Sequence, residues 1–146
     1  MQKFALDPAF LASSQPLCDL KLCAARLQSD ARWPWVVLIP RKSGVRELEH
    51  LSASDRQQLI EETVLAGAAV RAIAAATGRP IDKINVGQLG NVTPQLHVHV
   101  VGRRPDDAAW PRPVWGVPGP TAYRSEVLEE AIRAASNVFC RLKAAS

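Results

Sequence analysis

The sequence predicts an α+β fold: an antiparallel β-sheet with one long helix packed on it and a C-terminal helix. Three observations carry this expectation. Residues 17–28, 35–39, 83–88 and 95–103 have the alternating or continuous apolar pattern of strands. Residues 54–76 form one long stretch with a 3.6-residue apolar period. No internal repeat or domain-splitting linker interrupts the 146 residues, which is the length of one ordinary domain, so residues 1–146 read as a single domain.

Each element has a local cause. Asp7-Pro8 places a capping carboxylate before proline at the first helical position, so a short helix covers Ala9–Ala12 and ends at Pro16. From 17 to 28, Cys18, Leu20, Leu22 and Ala24 alternate with polar neighbours, the period of one half-buried strand. Trp35–Ile39 is apolar throughout and bounded by Pro34 and Pro40. It reads as a central strand buried on both faces, paired as an antiparallel hairpin with the preceding one. Residues 41–51 are a polar connection. Ser54-Asp55-Arg56-Gln57 has the spacing of a capping box opening the long helix, with Leu59, Ile60, Val64, Ala68, Ala72, Ile73 and Ala76 on its apolar face and Gly78 and Pro80 as its stop. Strands at 83–88 and 95–103 flank a tight turn, Leu89–Pro94. Residues 105–120 hold five of the eleven prolines together with Trp110 and Trp115, the composition of an ordered, extended arm. Ser125 opens a last helix with Leu128, Ile132, Ala135, Phe139 and Leu142 on one side.

Composition narrows the function classes. With 47% hydrophobic and 22% charged residues the chain is globular. No apolar run approaches the ~18 residues of a membrane span, and the N-terminal residues lack the apolar core of a secretion signal. Cys18, Cys23 and Cys140, odd in number and without C-x-x-C spacing, read as reduced thiols of a cytoplasmic protein. The net charge of +4 comes without a basic run, so neither nucleic acid nor membrane is an expected partner, while a small phosphorylated ligand fits.

The chemistry concentrates in Gln95-Leu96-His97-Val98-His99-Val100-Val101. In a strand Gln95, His97 and His99 share one face, and two imidazoles two residues apart sit roughly 6–7 Å apart along the chain. Such a pair can address one phosphate or one metal ion, or line a polar sheet face. A catalytic metal needs more ligands than this segment offers, since His50 lies in the polar connection and no carboxylate follows His99 in the strand. No metal is expected. A nucleophilic imidazole fits better: it exposes one nitrogen, ties the other to a carbonyl, and splits a displacement at phosphorus in two. The second histidine then donates to phosphate or leaving group, and turn amides near Gly90 face the negative charge. Arg103 and Arg104 either bind outer phosphates or end the strand in solvent. Trp110 and Trp115 stack a base, cover a neighbouring copy, or pack the arm onto its own domain. Trp33 and Trp35 read as core and turn residues.

The run Asn85–Val101, with the Trp35–Pro40 strand and the long helix before it, resembles the histidine-triad (HIT) family, whose motif is H-φ-H-φ-H-φ-φ with φ apolar. The likeness covers residues 4–116 and leaves 117–146 as a C-terminal arm and helix. It implies that His97 is the nucleophile toward an α-phosphate and that His99 contacts phosphate and assists the leaving group. It also implies that Asn85 and Asn91 lie near ribose and phosphate. The expected activity is cleavage of nucleoside phosphoramidates, dinucleoside polyphosphates or adenylates by a homodimer whose sheets join, or, alternatively, nucleotide binding with weak catalysis. Three positions depart from the pattern. Gln95 stands at the first triad histidine, Ser43 where a further histidine is usual, and Val92 where a hydroxyl is expected. Glutamine donates and accepts hydrogen bonds without titrating, and the carbonyl of residue 95 stays available to hold His97.

Overall fold

A computed structural model describes residues 2–145. Helix α1 (Pro8–Ser13) starts as expected, with the Asp7 side chain accepting from Ala9 N at 2.9 Å. The predicted single strand over 17–28 is instead a hairpin, β1 (Ser14–Asp19) and β2 (Cys23–Gln28), so Pro16 lies inside β1 rather than just past the helix. The apolar alternation runs through the turn because Leu20 and Leu22 are both buried there, and this made the turn look like strand. What reverses the chain is polar. The Glu62 carboxylate accepts from the N–H groups of Leu22 and Cys23, both at 2.8 Å, and satisfies a buried turn from outside.

Strand β3 (Trp35–Pro40) is buried at every position and pairs antiparallel with β2 and β5. A 3-10 turn (Leu48–His50) precedes α2 (Ala53–Ala76). The cap of α2 is Ser52, whose hydroxyl accepts from Asp55 N at 3.1 Å, two residues before the expected box. The buried face also differs from the expected one. Leu59 and Ile73 are inside, joined by Glu62, Ala66, Ala69, Val70 and Ala74, whereas Ile60, Val64, Ala68 and Ala76 are exposed. Buried Glu62 is the reason: a carboxylate on the inner face counts against the true stripe in any apolar tally, and alanines elsewhere leave the pattern without a strong preference. Gly78, at φ 73°, ends the helix as expected.

Strands β4 (Lys83–Gly87) and β5 (Val98–Arg103) complete a five-stranded antiparallel sheet of order β1-β2-β3-β5-β4. Residues 95–97, expected in the last strand, lead into it without pairing. Helix α3 (Ser125–Ala145) packs against α2 on the same side of the sheet, with Ala131, Ala135 and Phe139 fully buried. Leu142, expected on that face, lies outside the residues whose side chains are described.

The sheet therefore has two covered faces. Val36, Leu38, Val98 and Val100 point into an aliphatic core under the helices. Trp35, Val37, Ile39 and Val101 point the other way, into a second core formed with Phe10, Trp33, Ala109 and Val114. This is why β3 reads as an uninterrupted apolar run. The arm is ordered as expected and lies on this second face.

Candidate functional site

The period of two that runs through residues 96–100 sorts β5 and the segment leading into it by face. Leu96, Val98 and Val100 enter the core under the helices, and His97 and His99 emerge together on the face beneath the arm. His99 lies opposite Val37 in β3 and Gly87 in β4, one strand in from the edge of the sheet. The two imidazoles meet edge to face, with ring centroids 4.8 Å apart.

Their tautomers are fixed in opposite senses. His97 Nδ1 lies 2.7 Å from the Gln95 carbonyl, which only accepts, so Nδ1 carries the proton and Nε2 keeps a lone pair. His99 Nδ1 lies 3.0 Å from the indole nitrogen of Trp35, which only donates, so this Nδ1 is bare and the proton is on Nε2. Neither Nε2 has a partner among the described residues. Nor is either among the buried, unpartnered side-chain atoms there, which are Trp33 Nε1, Arg41 Nε and Trp115 Nε1. Both Nε2 atoms therefore reach solvent, although the His97 side chain is otherwise buried.

Aromatic rings wall the pair. Phe10 of α1 meets the His97 ring at 4.9 Å, and the Trp35 and Trp115 rings meet His99 at 5.5 and 5.8 Å. Gly87 makes room for the last of these, since a Cβ there would lie 2.8 Å from Trp115 Cη2. Burial, reinforced by the neighbouring His97, pushes the His99 imidazole down to about 3, so it is neutral at physiological pH. Beside His99 lies a cavity of about 280 Å³, lined among others by Gln28, Asp30, Arg32, Trp35 and Trp115.

The other predicted site residues fall in several places. Gln95 is close to His97, but its side-chain amide is turned to the N-terminal segment: Oε1 accepts from Asp7 N and Nε2 donates to Ala5 O, each at 2.9 Å. Arg103 is 1% exposed and spends its guanidinium inside the protein. It donates to both carboxylate oxygens of Asp107 at 2.7 and 3.0 Å, to the Arg112 carbonyl at 2.8 Å and to Asn85 Oδ1 at 2.7 Å. Asn85 and Arg103 thus form one buttress, which anchors the arm to the edge of the sheet. Arg104 pairs with Asp106 at the surface. Gly90 and Asn91 sit in the exposed turn after β4, where a Cβ on Gly90 would lie 3.2 Å from the Thr93 carbonyl. His50 accepts from Arg46 N and Glu47 N within its own loop. Among the described residues no group of three or more His, Cys, Asp or Glu side chains is arranged to hold a metal ion.

A HIT domain family model matches residues 11–106. The chain belongs to the HIT family. Its fold is similar to that of solved HIT proteins along nearly its whole length. One, from Sinorhizobium meliloti 1021, is 37% identical with a TM-score of 0.83, over 92% of this chain and 96% of that one. A histidine triad protein from Bradyrhizobium japonicum is 35% identical with a TM-score of 0.84, over 94% and 99%. Another, from Marinobacter aquaeolei VT8, is 35% identical with a TM-score of 0.84, over 97% and 99%. No curated protein matches the chain. Set on this HIT fold, the residues that sequence reasoning missed are aromatic. Phe10 read only as part of a short helix and Trp35 as a core or turn residue, and nothing in a linear pattern shows that Trp35 N–H meets a histidine 64 positions away.

Proposed function

We propose that this HIT chain is a nucleotide-binding hydrolase or transferase acting at the α-phosphate of nucleotidyl substrates through a nucleotidyl-histidine intermediate, without an organic cofactor. The observation that carries the reading is the opposed tautomers: a lone pair on His97 Nε2 beside an N–H on His99 Nε2, both open. His97 attacks phosphorus while His99 donates to a phosphoryl oxygen, stabilising the charge that builds there. The Gln95 carbonyl holds the His97 Nδ1 proton and so supports the charge the ring gains on attack. The turn at Gly90 and Asn91 offers backbone and amide donors for the rest of the nucleotide. In this reading Arg103 shapes the site by anchoring the arm and does not touch phosphate.

The test is release of AMP from an adenylyl substrate, with the adduct trapped and located by mass spectrometry. We expect an adenylyl group on His97 in the wild type, and its absence with at least a ~10³-fold loss of turnover in His97→Ala, with AMP affinity retained. A second reading, nucleotide binding without turnover, has one observation in its favour: His99 is held neutral and cannot act as a strong acid. It wins if AMP binds but no adenylyl substrate is cleaved.

The homodimer belongs to the same proposal. Strand β4 ends the sheet, and Val64 of α2 and Val86 of β4 are exposed apolar side chains lining one groove with Ile84, while Ile60 of α2 is exposed as well. A second copy pairing along β4 covers them. Sedimentation velocity should show a dimer that Val64→Asp converts to monomer; a monomeric wild type removes this part of the proposal.

A further inference from the structure

The geometry points to a narrower substrate class for this site: mixed anhydrides of a nucleotide, whose leaving group departs as a carboxylate or phosphate anion, in preference to phosphoramidates, whose leaving group is an amine. The inference rests on the proposed catalytic role of His97 and His99 and deepens it.

The argument follows the protons. With an anhydride, His97 Nε2 forms an N–P bond as the P–O bond to the leaving group breaks, and the bonding pair leaves on an oxygen that is stable as an anion. No proton is needed. Water then forms an O–P bond as the P–N bond breaks, the pair returns to His97 Nε2, and the water proton passes to solvent. With an amidate, the pair departs on nitrogen, which must take up a proton in that step.

The site holds no acid placed to give one. The His97 Nδ1 proton is committed to the Gln95 carbonyl, on the far side of the ring from the reacting nitrogen. The His99 Nε2 proton belongs to a neutral imidazole, a good hydrogen-bond donor and a very weak acid. Making His99 an imidazolium would put a proton on Nδ1, where the Trp35 indole N–H already points, and would leave that buried donor facing another donor. Nothing around His99 favours the cation. The segment leading into its strand contributes His97, β3 contributes Trp35, β4 contributes Gly87, and the arm contributes Trp115. The charged groups lining the adjoining cavity, Asp30 and Arg32, are paired with each other at 2.8 Å. Trp35 is therefore a positioning residue that sets what kind of leaving group the site can release.

Two substrates with the same nucleotide test this: acetyl adenylate, an anhydride, and adenosine 5′-phosphoramidate. The readout is the ratio of their kcat/KM values in the wild type and in Trp35→Phe, which keeps a ring but removes the N–H. We expect Trp35→Phe to lower the anhydride-to-amidate ratio tenfold or more. We also expect amidate turnover in this variant to rise toward acid with a midpoint near an ordinary imidazole value, ~6.5. Nitrogen-15 NMR of the wild-type histidines provides a readout that survives a misfolded variant: His99 Nδ1 should stay unprotonated down to pH 5. The inference is overturned if wild-type His99 is protonated at pH 6, or if Trp35→Phe folds and leaves the ratio unchanged. Failure of the underlying reading looks different. In that case neither substrate releases AMP and no adduct forms on His97.

Discussion

The two faces of the sheet are closed by different physics. Under α2 and α3 the side chains are almost all aliphatic, and the layer is held by burial of apolar area, which is non-directional and tolerant of small shifts. The face that carries the histidines is covered by an N-terminal segment and an arm that have little regular structure. These pieces are fixed by directional polar ties: Arg103 to Asp107 and Asn85, Gln95 to residues 5 and 7, and Asp30 to Arg32 and Thr121 N. Apolar packing suffices to build a layer, whereas placing two ring nitrogens at a set distance requires bonds with direction. The difference predicts that substitutions on the site face should uncouple stability from chemistry in ways that substitutions under the helices do not.

The largest effect is expected at Arg103. The side chain and its partner Asp107 are 1% and 4% exposed, and Asp107 also accepts from the N–H groups of Arg104, Ala109 and Trp110. Burial alone would raise the Asp107 carboxyl, but the Arg103 guanidinium and these backbone donors outweigh it and hold the group well below the usual carboxylate range. Arg103→Met leaves a buried carboxylate without its cation, which costs about 3–5 kcal/mol. Urea unfolding measures the loss. Because the arm brings Trp115 to His99, we expect nucleotide affinity to fall with stability; a variant that is destabilised but binds normally would show that the arm does not shape the site.

The next effect comes from His99 and appears as a pH dependence. Its folded value, about 3, lies below the ~6.5 of an unfolded chain. Between these values the unfolded state binds a proton that the folded state refuses, so stability is fully present above pH ~6.5 and is lost as pH falls. The slope approaches about 1.4 kcal/mol per pH unit for one such group, or roughly 3 kcal/mol between pH 6.5 and 4. His99→Phe should flatten this stretch of the curve. If it leaves the slope intact, the burial of a neutral His99 is not what makes stability fall toward acid.

The sequence read these two faces unequally. The central, doubly buried β3, the long helix after it and the two strands that follow were legible because apolar periodicity reports burial directly. The common face of His97 and His99 and the carbonyl that holds His97 were legible for the same reason, since they follow from alternation and backbone alone. What escaped was every feature made by a polar group acting across the fold. Glu62 capping the β1–β2 turn hid both the turn and the true face of α2. Arg103 looked like a solvated strand end or a phosphate ligand because its partner in the arm is set by tertiary packing. Trp35 passed for a core residue because its ring is one; only its N–H has a second role.

Gln95 sharpens the comparison at the smallest scale. The residue works in two directions, its carbonyl on His97 and its side chain on the N-terminal segment. An extended segment turns the C=O of one residue and the N–H of the residue two further on to the same side. Ala5 O and Asp7 N present such a pair, and a side-chain amide, with donor and acceptor side by side, matches both. The segment so held leads directly into α1: Asp7 caps the helix, and Phe10 sets its ring against His97. Gln95→Ala removes two neutral hydrogen bonds, about 1–3 kcal/mol together, and keeps the carbonyl. The loss should therefore show first as faster amide exchange at Asp7 and proteolysis within residues 2–7, with turnover reduced through a less ordered His97. Gln95→His separates this account from one based on the triad alone. An imidazole carries its donor and acceptor on opposite edges of the ring and cannot bond Ala5 and Asp7 together. The Gln95→His variant should behave like Gln95→Ala in exchange and should not raise turnover, whereas a gain in turnover would mean that the residue addresses the substrate and not the segment above His97.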